Sequence, residues 1–249
     1  MDEATLERPA PALGGRGVLE GAFALLEALA HGAETGLTQL ATAAGLPKAT
    51  AYRLLNQLVT EGAVQRRSGR YRLGPRVYRL GQTWEPARLL RSASAQPLRQ
   101  LVAGFERGGF SLAVADRGQV MLVGGIGREI DEIFPLRAGT LLPSGTAAEQ
   151  VLFASQGERP VPHGFSYREW ERLSAAARTR GLGYDLDAKT HGLVCVAAPV
   201  RGPEGAVVAA LACTLTEPQR VPVLAEAVQR AAGLVTTNLA RLIRATRAL

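Results

Sequence analysis

The stretch from residue 37 to residue 64 constrains the fold more than any other part of this 249-residue chain. Apolar residues at helical spacing predict two short helices, and Gly45 between them supplies the permissive backbone of a tight turn. Thr38 suits the cap of the first helix, and Pro47 suits the first position of the second. Two helices joined in this way, with polar residues on the outer face of the second, predict a helix-turn-helix that binds DNA.

The residues after the second helix predict a β-hairpin. Two runs that favour strands, 64–67 and 70–73, flank the turn dipeptide Ser68-Gly69. From residue 48 to residue 79 the chain has eight basic side chains and one acidic side chain, while the net charge of the whole chain is +7. A basic hairpin beside a recognition helix is a wing, and this concentration of charge predicts contact with a phosphate backbone.

The two helices and the wing together indicate which side chains contact DNA. The helix residues are expected to read bases, and the wing residues are expected to contact phosphates or the minor groove. The predicted DNA contacts are Thr38, Lys48, Ala49, Thr50, Tyr52, Arg53, Gln57, Arg66, Arg67, Arg70 and Tyr71. The alternatives are ordinary core packing of a helical hairpin and a solvated charged face. The coincidence of three independent signals favours DNA binding.

These residues resemble those of a known family. The segments 45–50 (GLPKAT), 52–55 (YRLL) and 69–74 (GRYRLG), with Leu80-Gly81 after them, resemble the N-terminal domain of IclR-type bacterial transcriptional regulators. The resemblance continues more weakly to the C-terminus. It implies a winged helix-turn-helix domain, a linker helix that contributes to dimerisation, and a GAF-like effector-binding domain.

The rest of the chain predicts an antiparallel α+β domain, because hairpins occur with helices segregated around them. The predicted strands are 110–115, 119–124, 130–136, 192–200 and 206–215. The predicted helices include 144–154, capped by Ser144, 166–180, opened by a capping box at Ser166 and Glu169, and 222–249.

Composition and the positions of proline, glycine and serine residues set the expected domain boundaries. A flexible arm is expected over 1–17, a winged helix-turn-helix domain over 18–74, a linker helix over 75–94 and an effector-binding and oligomerisation domain over 95–249. Pro86 and the Ser92-Ala-Ser94 stretch are expected to interrupt the helix that begins at Pro75. The sequence leaves open whether the linker helix continues past Pro86.

Composition also limits the classes of function. No apolar run is long enough to span a bilayer and no signal peptide is evident, so a cytoplasmic protein is expected. Cys195 and Cys213, the only cysteines, lie in apolar runs and are expected to be buried thiols. Phosphate loops, nucleophile elbows and two-histidine metal motifs are absent from the sequence, so no enzymatic activity and no cofactor is predicted. A thiol hydrolase that uses Cys195 with His191 is the enzymatic alternative.

The resemblance also implies a site for a small molecule. In IclR-type regulators a metabolite, often an organic acid or an aromatic compound, binds in the C-terminal domain, and the matching segments here are 142–146, 183–195 and 211–214. They indicate Ser144, Gly145, Thr146, Asp187, Cys195 and Thr214 as ligand contacts. Independently, free amides at a helix N-terminus near Gly145 suit a carboxylate or another anion.

The predicted function is therefore that of a ligand-responsive transcriptional regulator, either a repressor or an activator. A single helix-turn-helix reads only a few base pairs, so operator DNA is expected to be bound by a homodimer or homotetramer. The alternative is a metabolite-binding sensory protein whose winged domain mediates protein contacts.

Overall fold

The computed structural model describes residues 17–30, 34–154, 161–162, 164–186 and 192–247. The chain divides into two compact units, of which the first ends at Trp84 and the second begins at Glu85. The predicted arm, except for its last residue, and the predicted ligand contact Asp187 lie outside the described residues. None of the helices in the described ranges is long and apolar enough to cross a membrane.

The first unit is a winged helix-turn-helix, as predicted. Its elements are α1 (Val18–Ala30), β1 (Thr35–Gly36), α2 (Leu37–Ala43), α3 (Lys48–Thr60), β2 (Val64–Arg67), β3 (Arg70–Leu73) and α4 (Pro75–Gln82). The strands form an antiparallel sheet in the order β1-β3-β2. Leu25 of α1, Leu40 of α2 and Leu55 of α3 are fully buried against one another, together with Tyr71 of β3. The burial of these apolar side chains stabilises the position of α3 against α1 and α2.

The turn between α2 and α3 forms at Gly45, as predicted. Gly45 has a φ of 61°, in the left-handed region that favours glycine. The predicted capping residues are each one or two positions away from the observed caps. Gly36 precedes α2, so Thr38 lies inside the helix, where its carbonyl accepts a hydrogen bond from the Thr42 hydroxyl. Pro47 is the capping residue of α3 rather than its first residue.

The wing forms over the predicted residues. Ser68 and Gly69 have φ values of 47° and 77°, the pair of positive values that a type I′ hairpin turn requires. The wing joins α4 at Gly74, whose amide donates to the Ala63 carbonyl over 2.8 Å. A Cβ atom at Gly74 would lie 2.3 Å from the Gly62 carbonyl oxygen, so only glycine fits this joint.

The second unit begins with α5 (Glu85–Gly104), a helix that differs from the prediction. Pro86 lies in its first turn, where a missing amide hydrogen costs nothing, and the break in the chain falls at 83–84 instead. The helix also continues through Ser92 and Ser94 and across Pro97. Proline leaves the carbonyl four residues earlier without its usual partner, and the Asn238 side-chain amide donates to that carbonyl, on Ala93, over 3.0 Å. A distant residue thus replaces the hydrogen bond that Pro97 removes.

The remaining elements form a five-stranded antiparallel sheet with helices on both faces. They are β4 (Gly109–Asp116), β5 (Gln119–Ile126), α6 (Ala147–Phe153), α7 (Tyr167–Arg180), β6 (Gly183–Asp185), β7 (Val194–Arg201), β8 (Val207–Leu215) and α8 (Val221–Arg247). The strand order is β5-β4-β8-β7-β6. One face of the sheet packs on α5 and α8, and the other packs on α6. The predicted α+β class is confirmed.

Two predicted elements of this unit are wrong. The predicted strand 130–136 is instead a 3₁₀ helix, Arg128–Glu132, followed by irregular chain. The Asp131 carboxylate accepts a hydrogen bond of 2.8 Å from the Leu136 amide and thereby folds the segment back on itself. The predicted cap Ser144 lies two residues before the observed one. Thr146 is the N-cap of α6, and its hydroxyl accepts a hydrogen bond from the Glu149 amide. Ser166 caps α7 as predicted, since its hydroxyl accepts a hydrogen bond from the Glu169 amide.

Candidate nucleic-acid interface and ligand site

Helix α3 has one buried face and one exposed face. Ala51, Leu54 and Leu55 are buried in the core of the first unit. The predicted base-reading residues lie on the other side, where Lys48, Ala49, Tyr52, Arg53 and Gln57 are exposed and Thr50 is half-buried. Lysine, arginine and glutamine are side chains that hydrogen-bond the edges of bases in the major groove. The geometry therefore presents a polar helix face of the kind that the sequence predicts.

Arg66 connects the wing to α3. Its guanidinium carbon lies 5.5 Å from the centre of the Tyr71 ring, within the range of a cation–π contact. Hydrogen bonds with the Asn56 side chain and with Arg66, and the positive charge of Arg66, lower the pKa of the Tyr52 hydroxyl. Tyr71 itself is only 1% exposed, so its prediction as a DNA contact is wrong and its role is in the core.

The other arginines of the wing differ in the hydrogen bonds that their guanidinium groups form. Arg70 donates to the Glu34 carbonyl over 2.7 Å, and Arg72 donates to the Gln65 side chain over 3.0 Å. These bonds fix the wing to its own strands and to the segment before β1. None of the described residues forms a hydrogen bond or ion pair with Arg67, which lies next to the tip of the wing. Its guanidinium is therefore available for a phosphate group.

Five arginines line one open cleft between the wing and the start of α4. They are Arg66, Arg67, Arg72, Arg76 and Arg79. Arg76 forms an ion pair with Glu61, the acidic residue of this cleft. Clustered positive charge raises the local potential and attracts a polyanion. Arg76 and Arg79 were counted in the basic stretch of the sequence but were not predicted as contacts, because nothing local shows that α4 adjoins the wing.

We predict that replacing Arg67 with alanine weakens DNA binding by the same factor on operator DNA and on random DNA. A phosphate contact carries no sequence information, and its loss should lower the slope of log affinity against log salt by about 0.9. Fluorescence anisotropy titrations at several salt concentrations measure both effects. Arg172→Ala, at an exposed arginine of α7, is the matched control. An unchanged salt slope in the Arg67 variant would remove this residue from the interface.

The second unit contains a recess on the face of the sheet that packs on α6. Its floor consists of side chains on four adjacent strands. Ser111 on β4 lies opposite Ala212 on β8. Two positions further along β8, Thr214 lies opposite Cys195 on β7, which in turn lies opposite Asp185 on β6. Its walls come from the chain between β5 and α6 and from the residues at the start of β7. The lining residues are Ser111, Phe134, Leu136, Leu142, Pro143, Ser144, Thr146, Ala148, Asp185, Leu193, Cys195, Ala212 and Thr214.

The recess has a cavity volume of about 70 Å³, which is small beside the roughly 300–1,000 Å³ of typical small-molecule sites. Four predicted ligand residues line it, namely Ser144, Thr146, Cys195 and Thr214. Gly145 does not: it lines a neighbouring groove beside α7, and its amide donates to the Glu149 carboxylate. The sequence analysis missed Ser111 and Asp185, although a serine inside the apolar strand β4 is a visible signal.

The Cys195 thiol has the environment of a structural thiol rather than of a nucleophile. Its pKa is raised to about 12, chiefly by burial, which the Thr214 hydroxyl at 3.6 Å partly offsets and the nearby Asp185 carboxylate reinforces. A catalytic thiol requires a lowered pKa. Its predicted partner His191 lies outside the described residues. The geometry thus gives no support to a thiol hydrolase.

Comparison with known proteins identifies the family. The family model of the IclR helix-turn-helix domain matches residues 18–68 of this chain. The chain is also 32% identical over 246 residues to the glycerol operon regulatory protein of Streptomyces coelicolor, with 89% of this chain and 95% of the relative covered. This protein belongs to the IclR family. It is accordingly a DNA-binding transcriptional regulator and not an enzyme.

Two further relatives extend the comparison of this IclR-family protein. The transcriptional regulator KdgR of Dickeya chrysanthemi is 28% identical over 211 residues, covering 76% of this chain and 67% of that protein. The crystal structure of an IclR homolog from Microbacterium hydrocarbonoxydans, complexed with 4-hydroxybenzoate, superposes with a TM-score of 0.78 at 22% identity. That superposition covers 90% of this chain and 99% of the other, and it shows a common fold.

Proposed function

We propose that this IclR-family regulator binds operator DNA through α3 and the wing, and that a small molecule in the recess of the second unit changes its affinity for DNA. The observation that carries the proposal is the exposed polar face of α3 beside a cleft of five arginines. The assignments of residues 18–74 to DNA binding, 75–94 to linkage and 95–249 to effector binding and oligomerisation are part of the same proposal.

The residues of α3 and those of the wing have different roles in this proposal. Lys48, Ala49, Thr50, Tyr52, Arg53 and Gln57 face the bases of the major groove, and Thr38 of α2 faces the adjacent backbone. Arg67 and Arg70 contact phosphates or the minor groove. Arg66 holds Tyr52 in position, because it touches both Tyr52 and the ring of Tyr71. The base-reading side chains are then fixed relative to the wing.

The recess is the proposed site for the effector. It combines apolar walls with hydroxyl groups from several strands and loops, which is the usual composition of a small-molecule site. The IclR homolog from Microbacterium hydrocarbonoxydans, which has the same fold, holds 4-hydroxybenzoate. Ser144, Thr146, Cys195 and Thr214 are the proposed contacts. Binding there regulates transcription only if the ligand prefers one of two arrangements of the protein, and typical couplings change affinity about 5- to 150-fold.

The function is tested by selecting bound fragments from sheared genomic DNA and screening metabolites for an effect on the selected site. We expect the protein to enrich specific fragments and at least one metabolite to change its affinity for them. The alternative, a sensory protein whose winged domain contacts other proteins, is favoured instead if no fragment is enriched. A cytoplasmic location, with the chromosome, is part of the same proposal.

We predict that the protein is a homodimer or homotetramer at micromolar concentration. Leu80 of α4 is 63% exposed, and Trp84, two residues after the end of α4, is 41% exposed. A second copy would cover such apolar side chains, and paired half-sites give a useful specificity. Light scattering measures the mass of the wild type and of a Leu80→Glu variant, with Leu141→Glu as an exposed control in the second unit. A monomer that bound a palindromic site with full affinity would contradict this prediction.

A further inference from the structure

The chain between β5 and α6 also reaches the C-terminal end of α5. The Arg128 guanidinium donates hydrogen bonds to the carbonyls of Val102 and Phe105, over 2.7 and 2.8 Å, and to the carbonyl of Glu106. The last carbonyls of a helix have no partner within the helix, and a cation at this end also opposes the negative pole of the helix dipole. One side chain therefore caps the last turn of α5 and the residues that follow it.

Arg128 has a backbone conformation that few residues other than glycine adopt. Its φ is 48°, in the left-handed region, and residues in such conformations persist only where surrounding contacts hold them. The next residue strengthens the same attachment, because the Glu129 carboxylate accepts a hydrogen bond from the Gly108 amide over 2.7 Å. Two consecutive side chains thus fasten the chain between α5 and β4 to the 3₁₀ helix that begins at Arg128.

The other end of this segment forms a wall of the recess. Phe134 and Leu136 line the recess. The Phe134 amide donates to the Ile130 carbonyl over 2.7 Å, and the Leu136 amide donates to the Asp131 carboxylate over 2.8 Å. Ile130 is fully buried, so this turn is anchored in the core. The segment 128–136 is therefore one short, internally bonded piece that contacts the recess at one end and α5 at the other.

The small size of the recess requires its walls to move when a metabolite binds. The recess has a volume of about 70 Å³ and lies on the face of the sheet opposite to α5. Its floor consists of hydrogen-bonded strands, whereas the wall that contains Phe134 and Leu136 is a 3₁₀ turn and irregular chain, which moves at lower cost. Because closely packed segments transmit displacement, a shift of this wall should reach Arg128.

We propose that Arg128 transmits movement of the recess wall to the C-terminal end of α5. The inference rests on the proposed function, in which the recess holds the effector. Helix α5 is the first element of the second unit, and it begins directly after Trp84, the last residue of the first unit. Arg128 does not line the recess, so it acts as a positioning residue for the helix that joins the second unit to the first.

Hydrogen exchange of the full chain tests this proposal through a double-mutant cycle. Arg128→Ala is expected to speed exchange of the Phe105 amide about five- to tenfold, because the carbonyls at this end of α5 lose a charged partner. The cycle is measured at the Gly108 amide, which Glu129 holds in every variant. Phe134→Ala should speed its exchange at least about threefold when Arg128 is present and have almost no effect in the Arg128→Ala protein. Phe134→Leu repeats the test with a smaller loss of packing.

Two controls exclude a general loss of stability. Arg137→Ala, at an exposed arginine of the same chain between β5 and α6, should leave exchange at Gly108 unchanged. The Gly181 amide, which donates to the Ala177 carbonyl at the end of α7, should exchange at the wild-type rate in every variant. The proposal is overturned if the Phe134 variants have the same effect on Gly108 with and without Arg128, or no effect in either protein.

A conservative variant separates transmission from a structural role. Arg128→Lys retains the positive charge and hydrogen-bond donors, so it should restore both the protection of Phe105 and the response of Gly108 to Phe134→Ala. If lysine restored the protection but not the response, Arg128 would only stabilise the end of α5, and the proposal would be wrong.

Operator titrations of the same variants separate this inference from the proposed function. If Arg128 and Phe134 are coupled in hydrogen exchange but operator affinity is the same in every variant, the inference stands and regulation through the recess is wrong. If the variants change operator affinity without coupling in hydrogen exchange, regulation stands and the link through Arg128 is wrong.

Discussion

Replacing Leu55 with alanine is expected to unfold the winged helix-turn-helix and abolish DNA binding. Leu55 is fully buried in the core formed by α1, α2, α3 and the wing. Deleting a leucine side chain from a packed core costs about 2–5 kcal/mol, which is a large part of the stability of a domain of this size. Because the second unit has its own core, its sheet and helices should remain folded. Calorimetry should show the loss of one unfolding transition and the retention of the other.

The matched control is Leu19→Ala, at a leucine of α1 that is 76% exposed. The same atoms are deleted there without leaving a cavity, so the unfolding temperature should stay close to that of the wild type. A Leu55→Ala protein that unfolded at the wild-type temperature and bound operator DNA normally would show that this core does not support the recognition helix.

Replacing Cys195 with tryptophan is expected to abolish the response to the effector. Cys195 lies in the floor of the recess, between Asp185 and Thr214 on the neighbouring strands, so an indole ring there would occupy the space proposed for the ligand. Overpacking costs about 1–3 kcal/mol, which a folded domain should survive. Thermal shift with an effector, and the effect of that compound on operator affinity, measure the loss. Operator affinity without ligand should persist, because the interface of the first unit is unchanged.

Cys213→Ala is the control for disturbance of the sheet. Cys213 is fully buried on the opposite face, in the cluster that contains residues of α5 and α8. Its replacement should lower stability yet leave the response to ligand intact. Suppose that a compound stabilised the Cys195→Trp protein as much as the wild type and still changed its operator affinity. The effector would then bind outside the recess.

Local sequence signals were sufficient where a turn or a cap depends on adjacent residues. Ser68-Gly69 adopts the conformation that its type of dipeptide favours, and Ser166 caps α7 through Glu169. The burial of Tyr71 was also readable, since Tyr71 alternates with exposed arginines along β3, as a half-buried strand requires. Its place in a basic wing obscured that pattern. The fold class and the polar face of α3 followed from such short-range patterns.

Features that depend on distant contacts were not predictable. The continuity of α5 across Pro97 depends on Asn238, which lies 145 residues from the carbonyl that it bonds. The short strand β6 lies at the edge of the sheet, where the Gln150 side chain bonds both the amide and the carbonyl of Tyr184. At the recess, the sequence predicted a helix N-terminus with free amides. The occupation of the Gly145 amide by Glu149 appears only in the folded chain.

The central claim, that α3 reads bases, is tested most directly by one set of anisotropy titrations. Wild type and Arg53→Ala are titrated with a selected operator, with its single-base variants and with shuffled DNA at a fixed salt concentration. Arg53 is exposed on α3, so its loss should relax the preference at one base pair by about 1–3 kcal/mol and leave the affinity for shuffled DNA nearly unchanged. If Arg53→Ala, and equally Lys48→Ala and Gln57→Ala, kept the wild-type ranking of every operator variant, α3 would not be the element that reads the sequence.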